Sequence, residues 1–377
     1  MMTSFKTWSV VLAVGSAFVA ACSAGVDATS RNNGGGSASG GSGTTPIGMG
    51  GGINVGTPGM VDPNDKRDLE VRKKVCDANN TNCTCLRLAL LGTLQSAAAD
   101  TDTQPFINWL NGNSDGTATV TMVSTKPTLN ADFLAKYDIL VVANVSGWSF
   151  GADEKAAVEK WVREKGGGII TLTGFVSTDA EPAASGQLIE FAGFKYQPPQ
   201  TAPASGEAVP VYYKGGTVDL KKCLHWSQST TSHITSPIKF TPQTGALSKL
   251  TLNLDYVGAF IGWSVSPPGG ATILAKDPVT NNTMAAAYEV DGKGRIFAFG
   301  DEWVIFANQW VPRGNPDNQQ MDQYNPCWHA ADANGPAFFH SVQSLYQTKQ
   351  FWFNAINWVA PPNECNFTVK DPDVVVK

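Results

Sequence analysis

The stretch from Tyr137 to Thr173 restricts the fold more than any other part of the chain. YDILVVA, residues 137–143, is an apolar run of strand length, and Ile169 to Thr173 is a second. Such runs belong to strands buried on both faces, and those strands belong to parallel sheets covered by helices. Between them, Asp153 to Lys165 has helical periodicity. Ala157, Val158, Trp161 and Val162 share one face, with charges opposite. Asp153 and Glu154 suit the helix N-terminus, and Lys165 followed by Gly166 ends it. Gly166-Gly167-Gly168 precedes its strand rather than leading from a strand into a helix. It is therefore a helix stop, not a phosphate loop.

The flanking sequence extends this pattern. Leu86 to Leu91 suits a mostly buried strand, Pro105 to Leu110 a helix, Thr117 to Val123 a strand and Leu129 to Lys136 a short helix. The second half has a different texture. Val209 to Tyr213, Leu250 to Leu254, Tyr256 to Val265 and Thr272 to Ala275 are expected as strands of a mixed or antiparallel portion. Met284 to Val290 and Arg295 to Phe299 flank Asp291-Gly292-Lys293-Gly294, a hairpin turn. Residues 301 to about 338 read as a polar loop, and Phe338 to Val359 as a long aromatic helix. The fold class is α/β: a parallel sheet with helices on both faces, plus antiparallel strand insertions in the second half.

The N-terminus carries a different signal. Lys6 precedes a short apolar run, Trp8 to Ala21, which Val19-Ala20-Ala21-Cys22 closes. The run is too short to span a bilayer and has the layout of a signal peptide. Small residues directly before a Cys resemble the lipobox of bacterial lipoproteins. That resemblance implies cleavage after residue 21 and acylation, including palmitate, at Cys22. Two or more acyl chains give stable membrane attachment. Ser23 lacks the Asp that marks inner-membrane retention in enterobacterial lipoproteins, which points to the outer membrane, facing periplasm or exterior. The chain thus divides into a signal peptide (1–21), a Gly/Ser-rich tether (22–61), a charged lead-in (62–75), a folded domain (76–365) and a C-terminal tail (366–377). The tether cannot bury enough apolar surface to fold, and as a flexible coil it reaches roughly 35 Å.

Seven cysteines is an odd number for a secreted chain. Assigning Cys22 to lipid leaves Cys76, Cys83, Cys85, Cys223, Cys327 and Cys365, enough for three disulfides in an oxidising compartment. Cys83 and Cys85 are expected to pair with distant cysteines such as Cys223, Cys327 or Cys365 rather than with each other. Cys83-Thr84-Cys85 lacks zinc-ligand spacing. Net charge is −5 with no basic stripe, which argues against nucleic acid.

Three stretches together resemble the glutamine amidotransferase-like superfamily, especially its ThuA-like branches. They are YDILVVANVSGWSFGADEKAAVEKWVREKGGGIITLTGF (137–175), GKGRIFAFGDEW (292–303) and FWFNAINWVA (351–360). The resemblance implies a flavodoxin-like sheet. It also implies a nucleophilic Cys at the turn after the Gly-Gly-Gly strand, paired with a His. Thr171-Leu172-Thr173-Gly174-Phe175 stands there instead. A Thr without an adjacent base is a poor nucleophile, so no catalytic residue is assigned.

In open α/β sheets ligands bind beyond the carboxyl ends of the strands. Those ends supply Asn144, Ser146, Thr173, Asp301, Glu302 and Trp303, with Trp310 and Trp328 as aromatic platforms in the polar loop. Asp301 and Glu302 could hold a cation or a sugar hydroxyl, but the plainer reading is that Asp301 caps the segment that follows. Calcium near Asp301 and Asp322 is the one cofactor considered, and the loop has no EF-hand pattern. The leading expectation is an envelope lipoprotein whose catalytically silent domain serves binding or assembly. Its partners would be the membrane, an envelope protein or carbohydrate. Two alternatives stand beside it: an extracellular carbohydrate-active hydrolase centred on Asp301 and Glu302, and a structural protein with no small ligand.

Overall fold

The sheet order is what defines this domain. A computed structural model describes residues 65–79, 83–92, 103–145, 147–173, 180–197, 236–259, 263–276, 281–306, 310 and 347–376. In chain order the strands are β1 (Val75–Cys76), β2 (Cys83–Thr84), β3 (Leu86–Leu91), β4 (Ala118–Val123), β5 (Ile139–Val142), β6 (Gly168–Leu172) and β7 (Lys195–Gln197). They continue with β8 (Ser236–Lys239), β9 (Tyr256–Ala259), β10 (Ser264–Ser266), β11 (Thr272–Lys276), β12 (Thr283–Val290) and β13 (Gly294–Phe299). The α-helices are α1 (Gln104–Asn113), α2 (Ala131–Leu134), α3 (Ala152–Lys165), α4 (Ala180–Gly186) and α5 (Thr348–Val359).

Seven strands form the main sheet in the order β11-β12-β13-β6-β5-β3-β4. Strands β4, β3, β5, β6 and β13 are mutually parallel. Numbered among themselves they run 2-1-3-4-5, the flavodoxin-like order. β12 and β11 extend this sheet antiparallel, and β1–β2, β7–β10 and β8–β9 form separate antiparallel pairs.

Alternation along the central strands builds two cores. Leu88, Leu90, Ile139, Val141, Ile170 and Leu172 face α1 and α5, packing with Phe106, Phe351 and Trp352. Ala89, Leu91, Leu140, Val142 and Ile169 face α2, α3 and α4, packing with Leu134, Val158, Trp161 and Leu188. Both faces are covered, which is why these strands read as continuous apolar runs. Helix α3 ends as expected: Gly166 takes the left-handed conformation (φ 68°) and its N–H donates to Val162.

Several elements differ from expectation. Leu250 to Leu254 is no strand, because a 3-10 helix covers Gly245–Thr251. Its alternating leucines are misleading: Leu250 and Leu254 both point into the core, and the Asn354 side chain donates to the Leu250 and Leu252 carbonyls at 3.3 and 2.8 Å. Tyr256 to Val265 splits into β9 and β10, which join different sheets. The aromatic helix begins at Thr348, because Gln347 is held in a non-helical conformation (φ −99°, ψ 54°). Its side chain accepts from Asp255 and Tyr256 N–H groups and donates to Asn253 O. The 209–213 strand, most of the 301–338 loop and the whole of the signal peptide and tether lie outside the described residues.

Two disulfides are present among the described residues. Cys85–Cys365 joins distant segments as expected. Cys83 instead closes locally on Cys76, its register partner across the β1–β2 hairpin. Cys22, Cys223 and Cys327 lie outside the described residues.

The packed unit is wider than residues 76–365. The lead-in is an extended strap across the N-terminal edge of the sheet. Arg67 donates to Lys293 O (3.1 Å) and Ala360 O (2.6 Å), Asp65 pairs with Arg67 and Arg295, and Arg72 pairs with Asp138. The segment after Cys365 is no loose tail. Phe367 stacks on Phe353, Asp371 accepts from Trp109 Nε1 and from Lys349, and Val375 N–H donates to Gln350.

Candidate functional site

The carboxyl ends of the parallel strands line up in one row. The last paired residues are Leu91 with Val142, Val142 with Thr171, and Phe299 with Leu172. One or two steps further the chain reaches Gly92, Asn144, Thr173 and Gly300, followed by Asp301 and Glu302. Four residues singled out in the sequence therefore meet at one edge: Asn144, Thr173, Asp301 and Glu302. Ser146, the Trp303 side chain and Trp328 lie outside the described residues, and so does Asp322.

This row is closed to solvent. Asn144 is 4 % exposed, and Thr173, Asp301 and Glu302 are 0 % exposed. Asn144 adopts φ 50°, the left-handed region that Asn tolerates. Backbone of Asp301 and Glu302 leads into a 3-10 turn, Trp303–Ile305, in which Ile305 N–H donates to Glu302 O. Both carboxylates are engaged within the fold. In this closed arrangement neither carboxylate is exposed at the surface. Trp310 is no exposed platform. It packs against Trp109 (5.2 Å) and Phe106 (5.8 Å), and its Nε1 donates to Val304 O, the same carbonyl that Trp352 uses.

A small ribbon, β7–β10, sits beside the row. The Tyr196 hydroxyl reaches from β7 to Thr171 O (2.9 Å) and Phe299 O (3.2 Å), touching the last turns of both β6 and β13. Burial holds this phenol well above its ordinary pKa, against the opposing effect of its bond to Thr171, so it stays a neutral donor. From the residue before β10, Trp263 N–H donates to Gly300 O at 2.6 Å. Gly300 allows this crossing, because a Cβ there would collide with the Trp263 carbonyl.

The closure leaves polar groups without partners. Thr173 Oγ1, Ser185 Oγ, Trp263 Nε1 and Ser264 Oγ are buried and make no hydrogen bond. Each such group costs about 1–3 kcal/mol. Thr171 Oγ1 donates to the backbone oxygen of Ser185, tying α4 to the same strand end.

Sequence reasoning missed Tyr196, Ser185, Trp263 and Gly300. Gly300, directly after the buried strand GRIFAF, was the one available signal, since glycine at a strand end marks close backbone approach. Tyr196 carries no local pattern that separates it from any half-buried aromatic. Among the described residues no three His, Cys, Asp or Glu side chains converge as metal ligands. Two clefts, of about 80 and about 200 Å³, lie at the opposite edge of the sheet and are lined by strap residues such as Asp65 and Arg72.

The fold and this edge define a flavodoxin-like α/β domain with a polar but covered carboxyl edge. The chain matches no protein-family model and no curated protein. Solved structures with a similar backbone include a ThuA-like protein from Parabacteroides merdae. It has 13 % identity and a TM-score of 0.38, over 76 % of this chain and 93 % of that one. A glutamine amidotransferase from Thermotoga maritima has 10 % identity and a TM-score of 0.35, over 72 % and 96 %. An mmIFT52 N-terminal domain has 15 % identity and a TM-score of 0.38, over 58 % and 86 %.

Proposed function

We propose that this chain is a lipid-anchored protein of the cell envelope whose ThuA-like, amidotransferase-like domain binds or assembles and does not catalyse. The observation that carries the second half is Thr173. It stands where an amidotransferase would need an exposed nucleophile, yet it is wholly buried and its hydroxyl has no hydrogen-bond partner. A nucleophile needs both access and an adjacent base. The acids beside it, Asp301 and Glu302, are equally buried, which speaks against the hydrolase alternative. The first half rests on the Val19-Ala20-Ala21-Cys22 pattern and is supported by the two disulfides, which belong to an oxidising compartment. Cys22 would carry the lipid, and the outer membrane, facing periplasm or exterior, is the proposed location.

Detergent phase partition of the full chain expressed in a lipoprotein-processing bacterium tests the anchor. The wild type is expected in the detergent phase and labelled by a palmitate analogue, with Cys22→Ala in the aqueous phase and unlabelled. If both forms stay aqueous and unlabelled, the anchor is excluded. For the domain, a thermal-shift screen with sugars, peptidoglycan fragments and calcium is paired with hydrolysis assays on the same sugars. Turnover lost in Asp301→Asn would sink the non-catalytic reading.

A further inference from the structure

The residues that the row brings together are buried, so any role for them requires that something moves. The β7–β10 ribbon is the element whose construction fits that part. Each of its strands has three residues, and among the described residues it pairs with no other strand. Two-stranded pieces of this size are marginal on their own. Its inward side chains, Tyr196 and Val265, are register partners and pack on the sheet face with Phe194 and Ala298. Its attachments at the strand ends are few: the Tyr196 hydroxyl on Thr171 and Phe299, and the Trp263 N–H on Gly300.

Four of the buried polar groups without partners lie around the same piece, while others, such as Thr103, Trp161, Thr348 and Trp358, lie elsewhere in the domain. Ser264 lies in β10 and Trp263 directly before it. Ser185 lies on α4, whose Gly186 neighbours the Tyr196 ring, and Thr173 follows β6 two residues after the Tyr196 contact. A closed state that leaves four buried polar groups unsatisfied is weakened relative to one in which water or ligand reaches them. We propose that the β7–β10 ribbon is a movable cover over the ends of β6 and β13, and that its open form gives solvent and ligand access to Thr173, Asp301 and Glu302. This goes beyond the function proposed above and does not depend on the lipid anchor.

Residue-resolved hydrogen exchange on the folded chain tests it. The Trp263 amide is expected to exchange at least about 100-fold faster than amides in the middle of β6 and β13, at a rate insensitive to low denaturant, as in local opening. Tyr196→Phe removes the hydroxyl clasp and is expected to speed Trp263 exchange roughly fivefold, with the central amides unchanged. Ser185→Ala removes a group that only the open form can satisfy, and is expected to slow Trp263 exchange by about the same factor. A purely structural ribbon would respond otherwise. If Trp263 exchanges with the rate and denaturant slope of the β6 centre, or if Tyr196→Phe speeds all three sites equally, the ribbon opens only on global unfolding and the proposal fails.

Discussion

Asp138 stands at the start of β5 and holds three segments at once. Its side chain is 1 % exposed. It accepts from the Arg87 backbone N–H (2.9 Å) and guanidinium (3.2 Å) on β3, and it pairs with Arg72 of the strap at 3.2 Å. Asp138→Ala leaves two guanidinium groups facing an apolar methyl. Removing one partner of a fully buried pair costs about 3–5 kcal/mol. Here Arg72 and Arg87 keep 21 % and 28 % of their side chains exposed, so water relieves part of that cost and about 2–3 kcal/mol is expected. With a urea slope near 3 kcal/mol/M, the midpoint falls by about 1 M. Equilibrium unfolding followed by tryptophan fluorescence measures it. A cycle with Arg72→Ala separates the strap's share, with coupling of about 1 kcal/mol expected for this partly exposed pair. A midpoint within about 0.2 M of wild type for Asp138→Ala would refute the view that this carboxylate fastens the N-terminal edge.

The two disulfides should differ in weight. Cys85–Cys365 closes a loop of sequence separation 280, and Cys76–Cys83 one of only 7. Loop-closure entropy puts their losses at about 5 and about 2.5 kcal/mol, so calorimetry should show a larger fall in Tm for Cys85→Ser than for Cys83→Ser. Acid should destabilise the fold in a set window. Burial would raise the Asp65 and Asp371 pKa values, but Arg67 and Arg295 around the first, and the Asp373 N–H and Lys349 around the second, outweigh it and hold both below the ordinary carboxylate range. A folded-state pKa below the unfolded one contributes stability above about pH 4, lost as pH falls through the folded value. Tm should thus be flat from neutral pH to about 5 and fall below 4, less steeply in Asp371→Asn. An unchanged slope in that variant would remove Asp371 from the account. Gly300→Ala should lower Tm by several degrees, because its Cβ meets the Trp263 carbonyl, and limited proteolysis should then cut near β10.

The central sheet was legible because its signals are local. Leu140, Val142 and Ile170 are apolar on both faces, and Gly166 sits where α3 must stop. These features declare themselves within a dozen residues, and they mark four of the five parallel strands and the helices α1 to α3; β13 was expected only as half of a hairpin, and its parallel pairing with β6 was not foreseen. The errors arise where distant contacts decide the conformation. Leu250, Leu252 and Leu254 alternate like a strand, but the Asn354 amide a hundred residues away donates to the Leu250 and Leu252 carbonyls where a 3-10 helix ends at Thr251. Gln347 sets the start of the aromatic helix at Thr348 by bonding to backbone around Tyr256, which no helical pattern records. The site divides in the same way. Asn144, Thr173 and Asp301 were placed at one edge because strand ends are readable. Their burial was not, since it depends on segments arriving from elsewhere in the chain, as Tyr196 does at Thr171 and Trp263 at Gly300.

The two edges of the sheet have opposite chemistry, and this bears on how an anchored domain would work. At the N-terminal edge, charges are paired and backbone carbonyls are filled: Arg67 on Lys293 and Ala360, Arg295 on Glu289 and the Trp358 carbonyl, Arg72 on Asp138. At the carboxyl edge, the Thr173 and Ser264 hydroxyls are buried without partners, as the Trp161 and Trp358 ring N–H groups are at the N-terminal edge. The charge pairs are therefore concentrated where the strap enters, away from the edge at which ligands bind in folds of this class. Asp65, the first described residue, lies at the well-fastened edge. Pull or crowding at the membrane would then act on paired charges and backbone bonds. The ribbon, about one strand length away at roughly 17–20 Å, could open without loosening the attachment. An arrangement with the strap on the carboxyl edge would couple every opening to the anchor. If the anchor proposed at Cys22 is correct, the strap at the N-terminal edge would keep the two apart.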